Sequence, residues 1–203
     1  SLASDCADAD PCTVDSCVQN VCVYSASPDP SCCSEGTLLT ADFDDATSQD
    51  FAFINDGSAA QWSVQSKRST SAPFSLYFGI PGVWTYVTDP ASSGTAISPE
   101  FLVPVTSGAV SLKFNTWADI DAEGFFFDTY NVKVLSGSTL QTVWNFSDDP
   151  TSAQWTAATI DLSDYKGQSI RLYWSFQSQV ASFGDPGEGV YVDDVSVVST
   201  CAP

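Results

Sequence analysis

Carboxylates and thiols are the side chains whose number and spacing could do chemistry in this sequence, and both are unevenly placed. Among 25 acidic residues only Glu35, Glu100, Glu123 and Glu188 are glutamates. The remainder are aspartates, the short carboxylate that suits turns and oxygen-ligated Ca²⁺ loops. They gather as Asp42, Asp44 and Asp45, as Asp193 and Asp194 near the far end, and as Asp5, Asp8, Asp10 and Asp15 in the opening stretch. If the first two groups meet in the fold they repel unless a cation lies between them, and Ca²⁺ accepts about 6 to 8 oxygens. The plainer alternative is that these acids are solvated or blunt an edge strand. The opening set alternates like a Ca²⁺ loop but lacks the sixth-position glycine and closing glutamate of an EF-hand, so it ranks as a second and weaker Ca²⁺ candidate.

The cysteines are Cys6, Cys12, Cys17, Cys22, Cys32, Cys33 and Cys201, six of them within the first 33 residues. There is no histidine, and the spacing lacks the C-x₂-C knuckles of zinc sites. Disulfides are therefore expected, and with them an oxidising compartment such as the cell exterior. Seven is odd, so one sulfur is left for a bond between copies or for a free thiol, and a bond between copies is one route to a filament.

Without histidine, Ser-His-Asp and Cys-His nucleophiles and His-ligated zinc hydrolysis are excluded, and no phosphate-binding glycine loop is present. Carboxylate pairs such as Asp119/Asp121 or Asp185/Glu188 leave a carboxylate-dependent glycosidase as the catalytic rival. Any acidic chain offers such pairs, so no catalytic residue is assigned and a non-enzymatic binding protein is expected. Six Lys and Arg against 25 acids give a net charge of −19, which excludes nucleic acid as a partner. Trp84 and Tyr86, and Trp117 beside Asp119 and Asp121, are the aromatics that could stack on a sugar ring. Their other reading, like that of Phe125, Phe126 and Phe127, is core or sandwich rim.

Strands must position these groups. Residues 170–177 alternate Ile170, Leu172, Trp174 and Phe176 with mostly polar neighbours, the period of a half-buried strand. Segments 74–80, 109–117, 125–135, 141–146 and 157–162 read the same way, separated by turn residues such as Ser136, Gly137 and Ser138. In 189–198 the apolar phase slips at Asp193 and Asp194, as a β-bulge makes it do. No amphipathic helix is evident, and no apolar run reaches the ~18 residues of a membrane span. The expectation is an all-β, two-sheet antiparallel jelly-roll sandwich over 37–203, preceded by a disulfide-rich module over 1–36 whose few apolar residues need staples. Opening at Ser1 without a basic-then-apolar leader, the chain reads as a mature secreted form.

The segments 39–45, 61–64, 96–104, 112–114, 155–167 and 189–197, above all Tyr191-Val192-Asp193-Asp194-Val195-Ser196-Val197, resemble a MAM-like jelly roll of the bacterial cleaved-adhesin kind. The stretch from Asp5 to Cys17 resembles cysteine-rich modules of myxobacterial secreted proteins. The first resemblance implies a structural Ca²⁺ between the first and last strands, held by Asp42, Asp44, Asp45, Asp193 and Asp194. It also makes the terminal strands neighbours, so that Cys32 or Cys33 reaches Cys201. The function implied is an extracellular module for adhesion, surface attachment or assembly of a polymer, with itself, a surface glycan or a protein as partner. A carbohydrate-binding module is the alternative.

Overall fold

The computed structural model describes residues 6–8, 12–27, 29, 32–105, 108–121, 128–146, 153–179 and 187–201. The amino-terminal module is a hairpin of β1 (Thr13–Val18) and β2 (Val21–Ala26). Gln19 and Asn20 at its turn both take positive φ, the conformation that matches a tight turn to the strand twist. Val14, Val18, Val21 and Val23 are exposed, so this hairpin has little core of its own. Bonds Cys6–Cys22 and Cys12–Cys32 staple it instead. A third bond joins Cys33 to Cys201, and Cys17 is the seventh cysteine.

The remaining strands form the jelly-roll sandwich. They are β3 (Gly36–Ala41), β4 (Ala52–Asn55), β5 (Gln61–Gln65), β6 (Ser75–Gly79), β7 (Ser93–Ile97) and β8 (Phe101–Leu102). After these come β9 (Ala109–Asp119), β10 (Thr129–Ser136), β11 (Thr139–Asn145), β12 (Trp155–Asp161), β13 (Ser169–Gln177) and β14 (Gly189–Thr200). One sheet runs β11-β10-β13-β7-β4, with β8 also on β13; the other runs β12-β9-β14-β6-β5, with β3 also on β14. All pairings are antiparallel. The alternating residues of β13, namely Ile170, Leu172, Trp174 and Phe176, are buried against Leu112 and Phe114 of β9 and the valines of β14 in one core.

Two departures from the sequence expectation have local causes. The first strand ends at Ala41, because Phe43 and Ala46 take positive φ and the chain turns. Asp42, Asp44 and Asp45 thus lie on that turn, where the Asp45 carboxylate accepts the Thr47 N–H at 2.9 Å, a usual turn role for aspartate. The expected strand at 125–135 begins at Thr129, and its residues 125–127 lie outside the described residues. The slip in β14 is a bulge: Asp193 pairs with Asn115 and Ser196 with Lys113, so two residues of β14 oppose one of β9. Before the bulge β14 pairs with β6, and after it with β3. Gly189, at φ +116°, lies so close to Phe78 that a Cβ would sit 2.2 Å from its carbonyl oxygen, and only glycine fits there.

Candidate functional site

On β13 the positions between the core residues face outward, and so do their partners across the sheet. The register lines up Ile54, Thr95, Ser175 and Asn131 in one row over β4, β7, β13 and β10. On one side of it lies the row of Ser93, Gln177 and Thr129, and on the other the row of Ile97, Tyr173 and Lys133. A groove of about 310 Å³ runs over this face. Thr95 and Ser175 share a hydroxyl–hydroxyl hydrogen bond of 3.2 Å. Asn131 Oδ1 is buried and has no hydrogen-bond partner among the described residues, an arrangement that costs free energy until a donor arrives. Ile54 is 61% exposed and adds an apolar contact. At one end Asp56 accepts the N–H and hydroxyl of Ser93 and the N–H of Ser58. Burial would raise this carboxyl, yet these bonds outweigh it and hold it below the usual carboxylate range. Beyond Asp56 a larger hollow of about 720 Å³ opens between loops, lined by Ile80, Val87 and Pro90.

None of these groove residues was singled out by motif or charge in the sequence. Their signal is the polar half of the same period-two alternation that marks the core half.

The terminal aspartates come together only in part. Pairing of Ala41 with Val195 leaves Asp42, on the turn after β3, and Asp194, in the bulge of β14, just past that pair. Asp193, fully buried, accepts the N–H groups of Thr70 at 2.7 Å and Ser71 at 3.1 Å on Oδ2 and the Asp194 N–H on Oδ1. Asp194 accepts from Thr70 Oγ1 and Asn115 Nδ2, and Asp42 from Gln49 Nε2. Asp42, Asp44, Asp193 and Asp194 thus all accept N–H donors, and each carboxylate keeps lone pairs beyond these bonds. Among the described residues no three His, Cys, Asp or Glu gather so as to hold a metal ion. In the amino-terminal set Thr13 Oγ1 lies 2.9 Å from Asp8 and 3.1 Å from Asp15, while Asp5 and Asp10 lie outside the described residues.

The aromatics expected to stack on a sugar are otherwise engaged. Tyr86 and Trp117 are each only 4% exposed; Tyr86 packs on Phe176 in the core, and the Arg68 guanidinium covers the Trp117 ring at 4.1 Å. Trp84, in the left-handed region at φ 62°, carries Lys67 over its ring at 4.9 Å. Trp117, Tyr191 and Tyr77 instead form a small second cluster on the outer face of the other sheet, with Trp84 and Trp155 against it. Segment 67–74 straps this face. Arg68 makes two hydrogen bonds to Glu188, at 2.9 and 2.8 Å, Lys67 pairs with it at 3.0 Å, and the Tyr191 hydroxyl donates to it at 2.6 Å. Further along, Asp193 holds Thr70 and Ser71, and Asp44 accepts the Phe74 N–H. Of the carboxylate pairs, Asp119 accepts the Glu188 N–H, and Asp185 lies outside the described residues.

No family model matches the chain, and no curated protein matches it. Solved structures do. The carbohydrate-binding module TmCBM61, in complex with β-1,4-galactotriose, matches at 15% identity and a TM-score of 0.51, over 77% of this chain and 92% of that one. The CBM22-1–GH10 modules of Clostridium thermocellum xylanase 10B, complexed with xylohexaose, match at 9% identity and 0.54, over 82% of this chain and 29% of that one. The K1 cleaved-adhesin domain of Lys-gingipain from Porphyromonas gingivalis W83 matches at 17% identity and 0.49, over 83% of this chain and all of that domain. At these identities the likeness is one of fold: a β-sandwich shared with binding modules.

Proposed function

We propose that this chain is an extracellular, non-catalytic glycan-binding module whose ligand lies along the outer groove of β4, β7, β13 and β10. The observation that carries the reading is the groove itself, lined by the hydroxyls of Ser93, Thr95, Thr129 and Ser175 and the amides of Asn131 and Gln177, a row of donors and acceptors that suits the hydroxyls of a sugar. One solved structure of this fold is a carbohydrate-binding module in complex with β-1,4-galactotriose, and another joins a CBM22-1 module to a GH10 module, which supports it. The three disulfides support an extracellular location. Glu188, held ionised by two cations, is a poor proton donor, which weighs against glycosidase chemistry there. A glycan array together with reducing-end assays on polysaccharides tests the proposal. Binding without hydrolysis, lost in Asn131→Ala, is expected; hydrolysis, or binding indifferent to Asn131, would overturn it. Adhesion, surface attachment and filament assembly are further uses of such a module, and non-reducing electrophoresis tests the last, because ladders that collapse on reduction would support it.

Calcium at the join of β3 and β14 belongs to the same proposal. It is supported by the pairing of Ala41 with Val195, which brings the turn bearing Asp42, Asp44 and Asp45 towards Asp193 and Asp194, and it requires carboxylates of this set to turn towards one ion. Melting in CaCl₂ and in EDTA tests it: a higher melting temperature with calcium is expected, and superimposable curves would refute it.

A further inference from the structure

Cations are scarce in this chain, six against 25 acids, and most have evident tasks. Lys67 and Arg68 are held by Glu188, and Arg171 meets Glu100 at 3.5 Å. Lys133 is half-buried, lines the groove, and makes no ion pair among the described residues. Its cross-strand partners are Tyr173 on β13 and Thr142 on β11, neither of them acidic. The groove's acid, Asp56, stands at the opposite corner, four residues along the strand and three strands away. By ordinary strand spacings that is about 13 Å one way and about 14 Å the other. Such a separation exceeds the Debye length of about 8 Å at physiological ionic strength, so Asp56 does little to neutralise Lys133.

We infer that the groove selects an anionic sugar, a uronate or a sulfate ester, whose charged group is met by Lys133 while a hydroxyl of the same ligand donates to Asn131. This rests on the glycan reading above. The two residues are next-but-one on β10 and share a face, about 7 Å apart, a span that one ring with an exocyclic anionic group covers. Their demands are complementary: the ammonium takes charge, and the amide oxygen takes a proton donor. An anion has no proton for Asn131, and a neutral sugar leaves Lys133 without a counter-charge. The chain's net charge of −19 repels an anionic ligand at long range, but that repulsion is screened by salt, whereas contact with Lys133 is made within hydrogen-bond distance.

Calorimetric titration in ~0.15 M salt with oligogalacturonate, its fully methyl-esterified form and a sulfated galactan oligosaccharide tests this on the native chain, Lys133→Met, Lys133→Arg and Asn131→Ala. The native chain should bind at least one anionic probe roughly ten- to a hundredfold more tightly than the methyl ester. Lys133→Met should erase that preference and Lys133→Arg should retain it, with melting curves showing both folded. Asn131→Ala should weaken every probe that binds. Whichever of oligogalacturonate and sulfated galactan binds more tightly identifies the anionic group. Equal binding of acid and ester, or a preference that survives Lys133→Met, would overturn the anionic assignment and leave a neutral-glycan module standing. If no probe binds, and none of a set of neutral oligosaccharides either, both readings fall.

Discussion

Glu188 is where one residue's environment has a consequence for the whole chain's response to acid. Burial alone would raise its carboxyl, but hydrogen bonds from Arg68, Tyr191 and Lys67 outweigh it and hold it at about 2, against an ordinary 4.5. The folded state therefore binds fewer protons at this site than the unfolded chain between those values. The stability it contributes is complete above about pH 4.5 and is lost as the pH falls towards 2. Glu188→Gln leaves two cations short of a partner and should cost about 2 kcal/mol at neutral pH, which is roughly 4 to 8 °C in melting temperature for a chain of this size. Melting curves of native and variant chains should converge as the pH approaches 2; a constant gap would show that the residue acts through packing alone. Asp193 slopes the other way. Burial raises its carboxyl, the Thr70 and Asp194 hydrogen bonds offset this only in part, and the charge of Asp194 adds to it. Its contribution therefore grows as the pH falls through the range just above 3.8, and the comparison with Glu188→Gln cancels it.

Among the elements, those with strict alternation were legible in the sequence. Ile170, Leu172, Trp174 and Phe176 announced β13, and the change of parity at Asp193 announced the bulge in β14, because both follow from side chains alternating across a pleat. The same alternation held the groove in its other half, in Ser175, Gln177, Asn131 and Lys133, but polar residues on a strand look alike whether they face open water or line a groove. Long-range pairing was not legible. Nothing in the spacing of Lys67 and Arg68 points to Glu188, 120 residues beyond Arg68, and without that strap Trp84 and Trp117 read as open platforms. The turn made by the aspartates of 42–45 was not legible either, because charge and turn formation use the same residue type. The resemblance to a jelly roll with neighbouring terminal strands left Cys32 and Cys33 as alternatives for Cys201; in the structure Cys33 makes the bond and Cys32 joins Cys12. Closing a loop with a sequence separation of 168 contributes about 5 kcal/mol in the chain-entropy account. The paired change Cys33→Ser with Cys201→Ser should thus lower the melting temperature by roughly 10 °C or more. A shift within a degree or two would mean that the pairing of β3 with β14 already holds the ends.

At the scale of the whole molecule, the two outer faces have different characters. The face of β9, β14 and β6 is closed by an aromatic cluster under a cationic strap, while the face of β4, β7, β13 and β10 is open, polar and grooved. The staples of the amino-terminal hairpin and the bond from Cys33 to Cys201 lie outside both. That last bond also decides how the molecule carries load. Tension applied to the chain before Cys33 and after Cys201 passes through a single sulfur–sulfur link and never reaches the sheets. Under pull the sandwich cannot unzip strand by strand, and the contour length of the residues between the two cysteines stays hidden until the link is reduced. The sandwich and its groove therefore stay intact when the two ends are pulled, and a reductant converts a stiff coupling into an extensible one.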